Sequence, residues 1–246
     1  MKPTFLATAV FLFGAAAADA QYVLDHFNCY QIQPTPPPDA VVGLSDQFGQ
    51  GNAKVQSKFR FCNPTAKVVQ SPTGGTVVTP ITHPDDHLTL YTIQSDQPPA
   101  NLNVTVSNQF GEQRLTVFDA RFLAVPTHKA PHPNPPVDLD HYQCYRATGQ
   151  PIQRPAYLRD QFHPEQVRVN NPVLLCNPVK KQHNGAVTEV LHPDHHLVCY
   201  TKTPRQFVNT RDFRNQFESS QLITIASDLL CVPSKKAIVG PADADE

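Results

Sequence analysis

Residues 86–91 read DHLTLY, and three other stretches repeat the pattern: DHFNCY at 25–30, DHYQCY at 140–145 and HHLVCY at 195–200. His26, His87, His141 and His196 each stand four residues before Tyr30, Tyr91, Tyr145 and Tyr200. Downstream come SDQF, SNQF, RDQF and RNQF, which end at Phe48, Phe110, Phe162 and Phe217. Fourteen residues after each Phe stands Cys62, Ala124, Cys176 or Cys231, followed two residues on by Pro64, Pro126, Pro178 or Pro233. Lys67, Lys129, Lys181 and Lys236 close the copies. A fixed spacing kept in four copies marks an internal repeat.

The copies alternate in type. The first and third carry DQF and CNP; the second and fourth carry NQF with AVP or CVP, and open on the longer prefixes HPDDH (83–87) and HPDHH (192–196). A two-repeat unit duplicated in tandem gives this order. Each repeat reads as β structure, with short alternating apolar runs ended by proline. The expectation is an all-β protein of two tandem sandwich or barrel-like domains, each made of two pseudo-symmetric repeats of three to four strands. The boundaries follow: domain 1 over 21–129, a stiff Pro-rich linker APHPNPP at 130–136, domain 2 over 137–236, and a flexible polar tail at 237–246.

Composition narrows the class. The net charge is −1 with no basic block, which argues against a nucleic-acid partner, and 25 prolines argue against long helices. The opening MKPTFLATAVFLFGAAAADA has one lysine, an apolar run and an Ala18-Asp19-Ala20 end, so residues 1–20 read as a secretory signal peptide. No later stretch is long enough for a transmembrane helix. The expected location is secreted, extracellular or periplasmic, where disulfides persist.

The combined motif resembles a family of secreted bacterial proteins known only as a domain of unknown function. Its members carry tandem H-[F/L/Y]-x-C-Y, [D/N]-Q-F-G and L-C-[N/V]-P blocks. The resemblance spans nearly all of 22–236 and implies a secreted bacterial β protein, without an activity or site residues. The chain departs from it at Leu90 and Ala124, and at His163 and Glu218, where the glycine after Gln-Phe is missing.

Few residues suggest a reaction. His83 with His87, and His192 with His196, form H-x-x-x-H and are weak metal candidates. Residues four apart on a strand lie about 13 Å apart, so a structural role is favoured. The Gln-Phe pairs read as core phenylalanines beside a turn-forming Asp or Asn, and the tyrosines as packed rings anchored through their hydroxyls. There is no G-x-S-x-G nucleophile and no free thiol with a histidine partner. Nothing calls for a cofactor. We therefore expect no enzyme, but a disulfide-stabilised secreted or cell-surface module with a scaffold, adhesion or matrix role and a partner of unknown identity. A carbohydrate- or small-ligand-binding module is the alternative, ahead of a secreted hydrolase or metal-binding protein. The lack of Trp counts against a sugar platform.

Leu90 decides the cysteine pairing. It and Ala124 replace both cysteines of one repeat, and six cysteines remain without an orphan. Bridges between different repeats would strand a cysteine. The pairing expected is Cys29–Cys62, Cys144–Cys176 and Cys199–Cys231.

Overall fold

The structure is a computed structural model that describes residues 22–70, 74–132 and 134–242. The expected signal peptide, residues 1–20, lies outside the described residues. No helix occurs among those described, and so none long and apolar enough to cross a membrane.

Fourteen strands make one antiparallel sheet. The first repeat supplies β1 (His26–Ile32), β2 (Ala40–Asp46) and β3 (Gly49–Gln70), with β4 (Thr76–Thr79) after it. The second supplies β5 (His87–Ser95), β6 (Leu102–Asn108) and β7 (Gly111–Lys129). The third supplies β8 (Tyr142–Gly149), β9 (Arg154–Arg159) and β10 (Pro164–Pro178), then the short β11 (Lys180–His183) and β12 (Ala186–Thr188). The fourth has two long strands, β13 (His196–Arg214) and β14 (Ser219–Pro241).

Eight of these close a ring in the order β1, β3, β5, β7, β8, β10, β13, β14, and β14 pairs back onto β1. Its inner face follows from the two-residue period of a strand. Phe27 and Cys29 of β1 join one buried cluster, whereas Asn28 and Tyr30 point the other way. All eight ring strands contribute to that cluster, from Leu88 and Leu90 of β5 to Leu229 and Cys231 of β14. An eight-stranded ring leaves an interior just wide enough for side chains to fill.

The cysteines occupy this interior. Cys29 bonds Cys62, Cys144 bonds Cys176 and Cys199 bonds Cys231, each across directly opposed positions of neighbouring strands. Leu90 faces Ala124 at the same register of the second repeat. A large and a small apolar side chain fill there the space a bridge takes elsewhere.

Outside the ring, each repeat folds a hairpin arm back over the wall. The two strands of an arm pair with each other: β2 with the start of β3, β6 with β7, β9 with β10, and the far end of β13 with β14. The segment after each Cys-x-Pro, or after Ala-Val-Pro in the second repeat, then pairs with the arm of the repeat two places away. Ala66–Val68 pair with β9, His128 and Lys129 with β13, Lys180–Gln182 with β2, and Lys235–Pro241 with β6.

Two sequence expectations are redrawn by this pairing. The halves 21–129 and 137–236 do not close separately, since β7 pairs with β8 and β14 with β1. The described part of the supposed tail, 237–242, is not a tail. Ala237–Pro241 extend β14 and pair with Thr105–Leu102 of β6, which gives their backbone groups partners.

Candidate functional site

The four tyrosines emerge on the outer face of the ring, and each meets the turn of the repeat two places away. The Tyr30 hydroxyl donates to Asp160 at 2.7 Å and Tyr145 to Asp46 at 3.0 Å. In the other two cases Asn215 donates to the Tyr91 hydroxyl and Asn108 to the Tyr200 hydroxyl, both at 2.9 Å. The same Asp or Asn accepts the N–H of the Phe two residues on, at 2.8–3.0 Å. Asx turns of this kind fix the Phe. Its ring then stands edge-on to that tyrosine at 5.0–5.4 Å: Phe48 on Tyr145, Phe110 on Tyr200, Phe162 on Tyr30, Phe217 on Tyr91. Burial raises all four phenols, Tyr200 to about 12, so they stay protonated donors.

The closing lysines act between adjacent repeats. Lys129 donates to Gln161 and Lys181 to Gln216. The Lys236 ammonium lies 4.2 Å from the Phe48 centroid, and the Lys67 ammonium 4.2 Å from that of Phe110. Each lysine thus meets the Gln-Phe pair of the following repeat, with the fourth meeting the first. Burial lowers them, Lys67 to about 7 and the others to about 8. Of the four histidines at the head of the repeats, His26, His87 and His196 are buried and His141 is half-buried, and desolvation holds all of them below the usual imidazole range.

Both departures after Gln-Phe carry contacts. Gly49 and Gly111 turn with positive φ, +148° and +108°. Where His163 and Glu218 stand instead, their N–H groups bond the Asp160 and Asn215 side chains. The Glu218 carboxylate then accepts Lys58 at 2.5 Å and the Tyr91 hydroxyl at 2.8 Å. His163 stacks on Phe207. Nearby, Lys202 and Glu165 pair at 2.8 Å with both side chains fully covered. The buried Asn28 amide donates to Glu165 at 2.7 Å, to Asp160 at 3.1 Å and to the Tyr30 hydroxyl at 2.9 Å, which joins a second carboxylate and a tyrosine hydroxyl to that pair.

One cluster breaks the repeat pattern. The prefixes HPDD and HPDH each form a turn, with Asp86 N–H on the His83 carbonyl and His195 N–H on the His192 carbonyl. Asp25 accepts the His83 N–H at 2.7 Å, and Asp140 the His192 N–H at 2.8 Å. Tyr22 stacks on His83 at 4.3 Å and on His192 at 4.6 Å, and His195 stacks on His192 at 4.6 Å. The Tyr22 hydroxyl donates to Asp86 at 2.5 Å. Beside Tyr22 and His83 opens a cleft of about 270 Å³ that Asp86, Asn134 and Asp138 also line. A larger polar cleft of about 500 Å³ lies along the first arm, between Asn52, Asp96, Lys180 and Gln182.

The four metal candidates are divided by this geometry. His83 and His192 reach the Tyr22 cluster. His87 is buried against Phe61 and His132, and His196 is buried with no bond to its Nδ1 among the described residues. Among the described residues no group of three or more His, Cys, Asp or Glu side chains could hold a metal ion. Tyr22 is the residue that sequence reading missed. It has no counterpart in the other repeats, so the repeat pattern carries no signal for it.

The family scan matches the model of a repeat of unknown function, DUF7450, over residues 8–126 and again over 87–233. The chain belongs to this family. The two matches overlap across the second repeat, in keeping with a unit that recurs along one continuous ring. No curated protein and no solved structure matches the chain.

Proposed function

We propose that the chain is a non-catalytic, disulfide-stabilised β-repeat module of a secreted or cell-surface bacterial protein, serving as a scaffold in adhesion or matrix. One observation carries this reading. The recurring polar residues, Tyr, Asp or Asn, Gln and Lys, bond to one another between repeats rather than facing a shared cleft. A catalyst needs such groups within reach of a substrate. The signal-like residues 1–20 and six bridged cysteines fit an oxidising compartment. No cofactor is required.

The test is turnover by the oxidised protein on panels of esters, glycosides and peptides. The expected rate equals that of buffer. Turnover abolished by His83→Ala or Asp86→Asn would contradict the reading. The cleft beside Tyr22 favours a second one, a module that binds a small polar ligand such as a sugar. Aromatic faces with adjacent carboxylates suit sugar hydroxyls and C–H faces. Sugar binding weakened at least tenfold by Tyr22→Ala, with the far-ultraviolet spectrum unchanged, would establish that alternative.

A further inference from the structure

We propose that Lys236 and Asn177 are joined by an intramolecular isopeptide bond, with Asp46 passing the proton. The three residues come from the fourth, third and first repeats. Lys236 Nζ lies 2.7 Å from Asn177 Oδ1. Asn177 is fully buried, and its Nδ2 donates to Asp46 Oδ2 at 3.2 Å. Tyr145 holds the Asp46 carboxyl with its hydroxyl 3.0 Å from each oxygen. The Phe48 ring covers the amine at 4.2 Å. An amine, the fully buried amide it would attack and an acid on the leaving nitrogen are thus in place.

The reaction needs no co-reactant. The neutral Lys236 amine attacks Asn177 Cγ, and a C–N bond forms from Nζ. The Cγ–Nδ2 bond breaks. One amine proton travels through Asp46 to Nδ2, which leaves as ammonia. Burial favours the neutral amine by lowering Lys236 to about 8, and it also raises Asp46.

The repeats supply an internal comparison. Asn and Asp occur together in the first and third repeats, as Asn63 with Asp46 and Asn177 with Asp160. In the second and fourth, Val125 and Val232 replace the amide, and Asn108 and Asn215 replace the acid. A related set therefore exists: Lys129 lies 3.1 Å from Asn63 Oδ1. There, however, Asp160 is held by Asn28 at 3.1 Å and Tyr30 at 2.7 Å, while Asn63 Nδ2 has no partner among the described residues. The acid is not on the leaving nitrogen, so one cross-link is expected rather than two.

Intact mass spectrometry of the mature protein, purified and reduced, tests this. The expected mass is lower than that of the sequence by one ammonia, with a branched peptide linking Lys236 to Asn177 in the digest. Lys236→Arg and Asp46→Ala, checked for three disulfides, should recover the full mass. A full wild-type mass overturns the proposal. So does an ammonia loss that maps to the N-terminal Gln21, or one that persists in Lys236→Arg. Persistence in Asp46→Ala overturns the role of the acid.

Discussion

Lys67 shows how a single side chain can oppose the fold that contains it. Its ammonium is fully buried over the Phe110 ring and has no hydrogen-bond partner among the described residues, while Lys129 and Lys181 each have two and Lys236 has one. Its folded value of about 7 lies below the value of about 10.4 for a free lysine. Between these limits the unfolded chain binds a proton that the folded chain does not. The stability tied to Lys67 is therefore full above the unfolded value and is lost as pH falls toward 7. Lys67→Met removes the titrating ammonium while keeping the length of the side chain. We expect it to stabilise the protein at pH 7 by roughly 1–3 kcal/mol, with the gain shrinking toward pH 10. Urea midpoints of the two proteins at both pH values measure it. Destabilisation at pH 7 would mean that the contact with Phe110 outweighs desolvation. The position of Lys67 was legible in the sequence as a repeat marker. Its lack of a partner was not, because that depends on whether the neighbouring Gln turns toward it.

At the scale of the element, the recurring unit is a pair of ring strands with an arm, and its register was written in the sequence. The fixed spacing from Phe to Cys sets the length of β3, β7, β10 and β14 between turn and ring, so Cys29 meets Cys62 and Leu90 meets Ala124. The missing pair identified its own partner. Leu90→Cys with Ala124→Cys should form a fourth bridge of the same kind, since the two residues already face each other. Closing a loop of this length contributes about 3–4 kcal/mol in the chain-entropy model. Thiol counting should find no free thiol, and the guanidinium midpoint should rise. Two free thiols in the folded protein would show that this site cannot take the geometry of the other three. What the repeat could not show is where an arm goes. The partner of each arm comes from another repeat: β6 takes up Ala237–Pro241, whose short apolar run reads as a tail until its distant neighbour is known. The Tyr22 stack was hidden for the same reason, since it joins rings from residues 22, 83 and 192.

For the whole molecule, the duplication seen in the sequence suggested two objects, and the pairing of strands makes one. Local pattern cannot reveal the contact that closes the ring, because β1 and β14 stand at opposite ends of the chain, with Phe27 opposite Cys231. Once they meet, every repeat has a neighbour on both sides, and every arm rests on a repeat two places away. Neither half can then unfold without exposing edges and core of the other. Scanning calorimetry of the oxidised mature chain tests this central claim most directly. The ring predicts one transition whose calorimetric enthalpy equals its van't Hoff enthalpy. Two separable transitions, or a fragment ending at residue 129 that melts cooperatively by itself, would contradict it.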